Sequence, residues 1–379
     1  MKKIIFGAFA AAALLSCSKD QLIEENRVND EISFSVVAVN QTKAADVYCA
    51  NNLMTEFQVS GTYTYEEETK WYFQNDRIAY ETSAWTNKTA ERYWTAGTHD
   101  FYAIVNGTMT LTAEPDVPTV DFTPATKVAE QTDLLYAVAK GKTKSSSAVA
   151  LNFRHALSQI EFKAKNTNEK LHVEISGVRV GQTPGEGTFT FPSDATDGNF
   201  EDHNQADEID DYTTGTWSVN TPTDYSVTFP TVKVTGNSSP IGLTLSTDAV
   251  GSSRNFTNSM LLLPTTATTA WTPGAGSTFN GTYLGVDCKI YNVAGASFDE
   301  TTDICLHDGW AVIPASFAWE AGKKYIYTFV FGEGNGGYNG GGDPDTPTPG
   351  VTPVLTPITY TVTVDDFQKG AESDVNFEF

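Results

Sequence analysis

The chain has 379 residues, 40% of them hydrophobic and 12% aromatic, which is long enough for two ordinary domains and too apolar for a disordered chain. Its formal net charge of −23, from 47 acidic against 24 basic side chains, excludes the basic stripe that nucleic acid requires and argues against an anionic membrane surface. Beyond that, acidity implies solubility and self-repulsion.

The opening "MKKIIFGAFAAAALLSCSKD" carries Lys2 and Lys3, then an apolar run over 4–15, then a small residue and Cys17. That run is too short to span a bilayer and has the build of a secretory signal. "LLSC" at 14–17 resembles a bacterial lipobox, in which Cys17 is acylated and becomes the new N-terminus. Residues 1–17 are therefore read as a lipoprotein signal and 18–31 as a charged tether, consistent with anchoring in an outer membrane and exposure at the cell surface.

Next comes "ISFSVVAV" at 32–39, a strand with Ile32, Phe34, Val36 and Ala38 on one face. The polar "NQTKAADV" follows it. The body continues as short alternating stretches such as "TEFQVSGTYTY", "HDFYAIVN", "LHVEISGVRV", "GTFTFP", "TYLGVDCKIYNV" and "KKYIYTFVF", separated by Gly, Pro, Asn and Asp. This pattern predicts an all-β protein of sandwich type. Short helical turns are expected only in "VAEQTDLLYAVAKG" and "FRHALSQ". A boundary near 164–170 divides a first sandwich, 32–166, from a second, 167–334, and 193–214 reads as a long surface loop. Residues 335–357 are rich in Gly and Pro and read as a linker, with a reach on the order of 70 Å when fully extended. Residues 358–379 form the tail, opening with "ITYTVTV", in which Ile358, Tyr360, Val362 and Val364 share one face.

Chemical motifs are sparse. "GEGNGG" at 332–337 satisfies a dinucleotide-loop spacing, but no helix can start in the sequence after it, so it reads as linker. The acidic run of Glu201, Asp202, Asp207, Glu208, Asp210 and Asp211 lacks the spacing and mid-loop glycine of a calcium loop. His99, His155, His172, His203 and His307 are scattered, and neither a zinc-protease nor a serine-nucleophile motif occurs. No cofactor, metal or catalytic site is expected. Cys49, Cys288 and Cys305 form no paired-cysteine motif; Cys288 and Cys305 are open to either a disulfide or two buried thiols. Trp71, Tyr72, Trp85, Trp94, Trp217 and Trp271 support an alternative, a monomeric surface lipoprotein that stacks glycans, although dispersal through strand patterns favours a core role.

Two strands, one at each end, are left without obvious partners. The bond between Lys43 and Ala44 is a basic–small junction in a loop, open to a trypsin-like protease. Cutting there would release 32–39 and leave a sandwich with an open groove. A strand from another copy, delivered on the linker, could fill it by β-augmentation, and such a heterologous contact builds a filament.

These residues resemble the fimbrillin-like proteins of Bacteroidota, the type V pilins. The resemblance rests on "LLSC" with its charged tether, "EISFSVVAVNQTKAAD", "LNFRHALSQIEFKAKN", "WEAGKKYIYTFVFG" and "ITYTVTVDDF", in that order along the chain. It implies two tandem transthyretin-like β-sandwich domains, export as a lipoprotein, removal of the first strand and polymerisation by donor-strand exchange, with adhesion or biofilm formation as the outcome. By position, Cys17 is lipidated, the Lys43 to Ala44 bond is cut, and 358–364 is the donor. The implied partners are other pilin subunits, in a homo- or hetero-polymer, the outer membrane and a processing protease. The family's processing enzymes are arginine-specific, whereas this site has Lys43, so Arg27 stands as the fallback. Cutting after Arg27 leaves 32–39 in place, and an uncut subunit acts as an anchor that donates but cannot accept.

Overall fold

The computed structural model describes residues 30–36, 54–196, 214–236, 239–244, 259–274, 278–334, 337–340, 348–350, 352–366 and 376–377, with backbone alone for 365–366 and 376–377. Cys17, Arg27, Ala38, Lys43, Ala44, Cys49, His203 and the 201–211 acidic run lie outside them.

Among the described residues the structure is all-β, without an α-helix. The first strands are β1 (Phe34–Val36), β2 (Glu56–Tyr65), β3 (Glu68–Glu81), β4 (Ala84–Asn87), β5 (Thr98–Val105), β6 (Thr119–Phe122), β7 (Leu135–Lys142), β8 (Val149–Leu151) and β9 (Arg154–His155). Then follow β10 (Ser158–Asn166), β11 (Leu171–Thr190), β12 (Thr216–Thr235), β13 (Ile241–Gly242), β14 (Met260–Leu262), β15 (Tyr283–Asn292) and β16 (Ile304–Pro314). The last are β17 (Lys323–Phe331), β18 (Tyr338–Gly340), β19 (Ile358–Asp366) and β20 (Asn376–Phe377).

The first sheet runs β4-β3-β2-β5-β7-β9 and is antiparallel throughout. Its central strands are apolar on both faces because both are covered. Phe101, Ala103, Leu135 and Ala137 face a core closed by β1 and β8, while Tyr102, Ile104, Tyr136 and Val138 face a second core. This double burial explains why "VAEQTDLLYAVAKG" is not helical. Its continuous apolar run is a strand, β7, preceded by a single 3-10 turn at Val128–Glu130. "FRHALSQ" likewise supplies β9 and the start of β10.

Two further sheets enclose the largest core. One runs β13-β10-β17-β19-β20 with β14 also on β10; the other runs β12-β11-β15-β16-β18 with β6 on β11. Phe162, Val173, Val286, Trp319 and Phe329 fill the space between them. β10 falls within the span read as the first sandwich, yet it pairs in parallel with β17 from Gln159↔Lys324 to Asn166↔Phe331. β11 and β12 are each 20 residues long, so their far ends outrun the largest core. There Phe189 and Trp217 pack on the outer face of the first sheet with Tyr136, and the Trp217 indole N–H donates to the Ala156 carbonyl at 2.8 Å.

Gly332 and Gly334 of "GEGNGG" take the left-handed backbone of a turn, with φ of +94° and +91°, and the next described element is the short strand β18. Within the span read as linker, β18 pairs with β16, and the Asn339 and Val354 N–H groups donate to Thr352 and Gly337 carbonyls, both at 2.8 Å. Val354 joins the large core, so these described parts of the span are tied down.

Candidate functional site

The segment 30–36 sits between two backbone edges. On one side the Ile32 N–H donates to the Arg92 carbonyl at 2.7 Å and the Trp94 N–H to the Asp30 carbonyl at 3.2 Å, around an antiparallel bridge of Glu31 with Tyr93. On the other, the Val149 N–H donates to the Ser33 carbonyl at 2.8 Å, and β1 runs parallel to β8 with Phe34↔Val149, Ser35↔Ala150 and Val36↔Leu151. The side chains follow the period of two: Ile32 and Phe34 are 3% and 5% exposed, whereas Ser33 faces solvent. Val36 is half-buried against the same core.

Phe34 fills an aromatic box. Its ring lies nearly perpendicular to those of Phe57, Phe73 and Phe101, with centroids 6.2, 5.9 and 5.4 Å away, the edge-to-face geometry that aromatic quadrupoles favour. The edge at 92–94 is held by a buried charge. Arg92 Nε and a terminal guanidinium N–H donate to Asp76 at 2.9 and 3.2 Å, and Asp76 is almost fully buried. The same guanidinium lies 5.3 Å from the Tyr72 ring centroid and 5.4 Å from that of Phe73. Trp94 packs edge-on against His99 at 5.1 Å. Burial pushes the His99 imidazole down to about 4, against weaker opposing effects from a Lys142 backbone hydrogen bond and Asp100, so it is neutral at pH 7.

At the other end of the chain, β19 pairs antiparallel with β17 of its own molecule from Phe331↔Ile358 to Lys323↔Asp366. Ile358 and Val362 are buried in the largest core, and Tyr360 and Val364 pack against it half-buried. Tyr360 lies 6.0 Å from the Tyr327 ring, and burial raises its hydroxyl pKa. The face of Ile358, Tyr360, Val362 and Val364 is thus occupied within the chain.

The remaining candidates are dispersed. Trp94 and Trp271 are buried, and Trp85 is half-buried against Phe57 at 5.0 Å. Trp71 donates to the Thr112 carbonyl at 2.8 Å, and the Tyr72 hydroxyl to the Tyr93 carbonyl at 3.0 Å. These rings serve several packing sites instead of forming a platform. Cys288 and Cys305 are free: Cys288 is buried and its thiol pKa is raised by that burial, but Cys305 is exposed, contrary to the reading of two buried thiols. They are out of register, since Tyr291 opposes Cys305 and Gly309 opposes Cys288. His155 Nδ1 lies 2.7 Å from Asp133 Oδ2, and His172 stacks on Phe298 at 3.7 Å. Among the described residues no three metal-ligating side chains converge.

The family described as Fimbrillin-like matches residues 27–343. No curated protein matches the chain. Among solved structures, a candidate cell adhesion protein from Bacteroides uniformis is 13% identical, covering 90% of this chain and 99% of that one with a TM-score of 0.41. Another from Parabacteroides distasonis is 10% identical, covering 89% and 99% with a TM-score of 0.42. The fimbrial anchor protein Mfa2 from Porphyromonas gingivalis is 11% identical, covering 89% and 98% with a TM-score of 0.31.

Proposed function

This chain belongs to the fimbrillin-like family, and from that premise we propose that it is the lipoprotein precursor of a pilus subunit that polymerises by donor-strand exchange. The family is fimbrial and adhesive, non-enzymatic, and associated with the cell surface or fimbriae. In the proposed cycle Cys17 anchors the precursor in the outer membrane and a protease cuts between Lys43 and Ala44. The segment holding Ile32, Phe34, Val36 and Ala38 then leaves, and residues 358–364 of a neighbouring subunit, released from their pairing with β17, take its place. The two units act as tandem transthyretin-like sandwiches, and the polymer supports adhesion or biofilm formation.

The observation that carries this reading is the seat of residues 30–36. The short segment supplies two core side chains, Ile32 and Phe34, and bonds to backbone edges on both sides. Its loss leaves unpaired backbone and an aromatic cavity, a state that demands a replacement strand. The test is to treat the purified full chain with a lysine-specific protease and follow its size by sedimentation and electron microscopy. Filaments from the cut chain, and monomers from a Lys43→Ala chain treated alike, are expected. A cut chain that stays monomeric with its groove open contradicts the proposal.

A further inference from the structure

The two walls around segment 30–36 are held in different ways. Among the described residues β8 pairs with β1 and with no other strand. The loop before it leans on the same segment: Lys144 Nζ lies 3.2 Å from Asp30 Oδ2, and the Val149 N–H donates to the Ser33 carbonyl at 2.8 Å. The opposite wall is braced from behind. Buried Asp76 accepts from the Gln74 N–H at 3.2 Å and the Asn87 side-chain amide at 3.0 Å as well as from Arg92, so the 92–94 edge keeps its place without the segment. Resting on the strand-release reading above, we infer that β8 is a movable strap. Once 30–36 leaves, residues 145–151 step sideways into the vacated track and close the groove until a replacement strand displaces them.

The pairing allows that step without turning the strap over. β8 runs parallel to β1, so opposed residues share a face, with Phe34↔Val149 and Val36↔Leu151 both directed inward. A shift of one strand spacing, about 4.8 Å, keeps Val149 and Leu151 on that face. Continuing the same register upstream sets Ser147 in the place of Ile32 and Ser146 in that of Glu31, opposite Tyr93. The strap has slack at one end and a pivot at the other. Gly141 takes φ of +61° with nothing within 4 Å of where a Cβ would stand, and residues 143–147 are all exposed. Beyond β8, the Asn152 carbonyl accepts from the Thr196 hydroxyl at 2.9 Å, and β9 joins the first sheet.

The strap fits the track less well than the segment it follows. Val149 underfills the box of Phe57, Phe73 and Phe101, and Ser147 brings a hydroxyl where Ile32 brought an aliphatic chain. Closure therefore covers the open backbone edge, which would otherwise invite non-specific pairing, yet yields to a strand that carries a full aromatic residue at the box.

The test uses the full chain with Cys17, Cys49 and Cys305 replaced by serine, the buried Cys288 left in place, and a specific protease site between residues 39 and 45. It also carries Tyr93→Cys and Ser146→Cys. With the segment seated these positions are two strand spacings apart, about 10 Å, beyond the reach of a disulfide; closure brings them within about 5 Å. After cutting, the segment is removed by gel filtration in dilute urea, and disulfide formation under mild oxidation is followed by mass spectrometry. The 93–146 bond should form at least about tenfold faster in the segment-free chain than in the uncut one. Equal rates, or no bond in a segment-free chain, overturn the closure and leave strand release standing. A segment that comes off only as the first sheet unfolds, read by hydrogen exchange of β5, overturns the strand-release reading itself. With Ala148→Cys in place of Ser146→Cys, a faster bond overturns the register of the strap. As a second measure, a synthetic peptide of residues 28–39 should bind the reduced, segment-free chain at least about tenfold more tightly than the disulfide-closed chain; equal binding overturns the occlusion of the groove by β8.

Discussion

Truncating Phe34 probes how firmly the first strand is seated. Phe34 is 5% exposed and touches three rings, so Phe34→Ala removes a full aromatic side chain from a packed site. Core substitutions of this kind cost about 3–5 kcal/mol. The segment is short, however, and its two buried side chains, Ile32 and Phe34, contribute about 3–6 kcal/mol together at about 1.5–3 kcal/mol each. Unseating the segment therefore caps the loss. The expected destabilisation is about 3 kcal/mol, a change of roughly a hundredfold in the seating equilibrium. Guanidinium unfolding of the uncut full chain, followed by tryptophan fluorescence, reports the first unit through Trp94 and Trp85, with Trp→Phe controls in the second unit isolating the signal. The same substitution should leave the assembled, cut polymer unaltered, because residue 34 is then absent. A loss below about 0.5 kcal/mol in the precursor would show that Phe34 does not hold the segment in place.

Asp76→Ala strips the carboxylate from Arg92 and leaves a partly buried guanidinium beside the 92–94 edge; a loss of about 3 kcal/mol in the precursor is expected, and a neutral result in denaturant unfolding contradicts the assigned role. His99 titrates at about 4 when folded against 6.5 when unfolded, so its contribution is complete above pH 6.5 and is lost as pH falls towards 4. The wild-type chain should lose about 3 kcal/mol more than His99→Phe across that window, and parallel stability–pH curves exclude the imidazole as the cause. Iodoacetamide at pH 8 should alkylate Cys305 in the native chain and Cys288 only after unfolding, as read by peptide mass mapping; labelling of both at equal rates contradicts the burial of Cys288.

Much of the β character was legible because alternation survives wherever one face is wet, as in 32–36 and 358–364. The long β11–β12 ribbon was not. "LHVEISGVRV" and "GTFTFP" read as separate strands because Gly177, Gly181, Pro184 and Gly185 look like turn residues. In the structure the register shifts between Ile175 and Gly177 and between Val180 and Thr183, and Pro184 lies opposite Pro222, so the strand passes through these irregularities unbroken. The short helical turn expected in 128–141 is present as the 3-10 turn at Val128–Glu130, but the strand β7 that fills most of the stretch went unread for a related reason. β7 is buried on both faces, and a continuous apolar run carries no period to distinguish strand from helix. The candidate site divides in the same way. Ile32 and Phe34 were recognisable as one inward face, but the Arg92–Asp76 pair that braces their edge joins residues 16 apart with no motif between them. Nor does local pattern reveal that β19 docks on β17 of its own chain, a choice set by tertiary proximity.

Donor-strand exchange requires that the first strand be absent from assembled subunits. Mass spectrometry of subunits recovered from surface polymer measures this directly. A mature N-terminus at Ala44 is predicted, which removes Ile32, Phe34 and Val36 and opens the groove. Polymer subunits that all begin at an acylated Cys17, or at Val28 after cutting at Arg27, would retain the strand and contradict it.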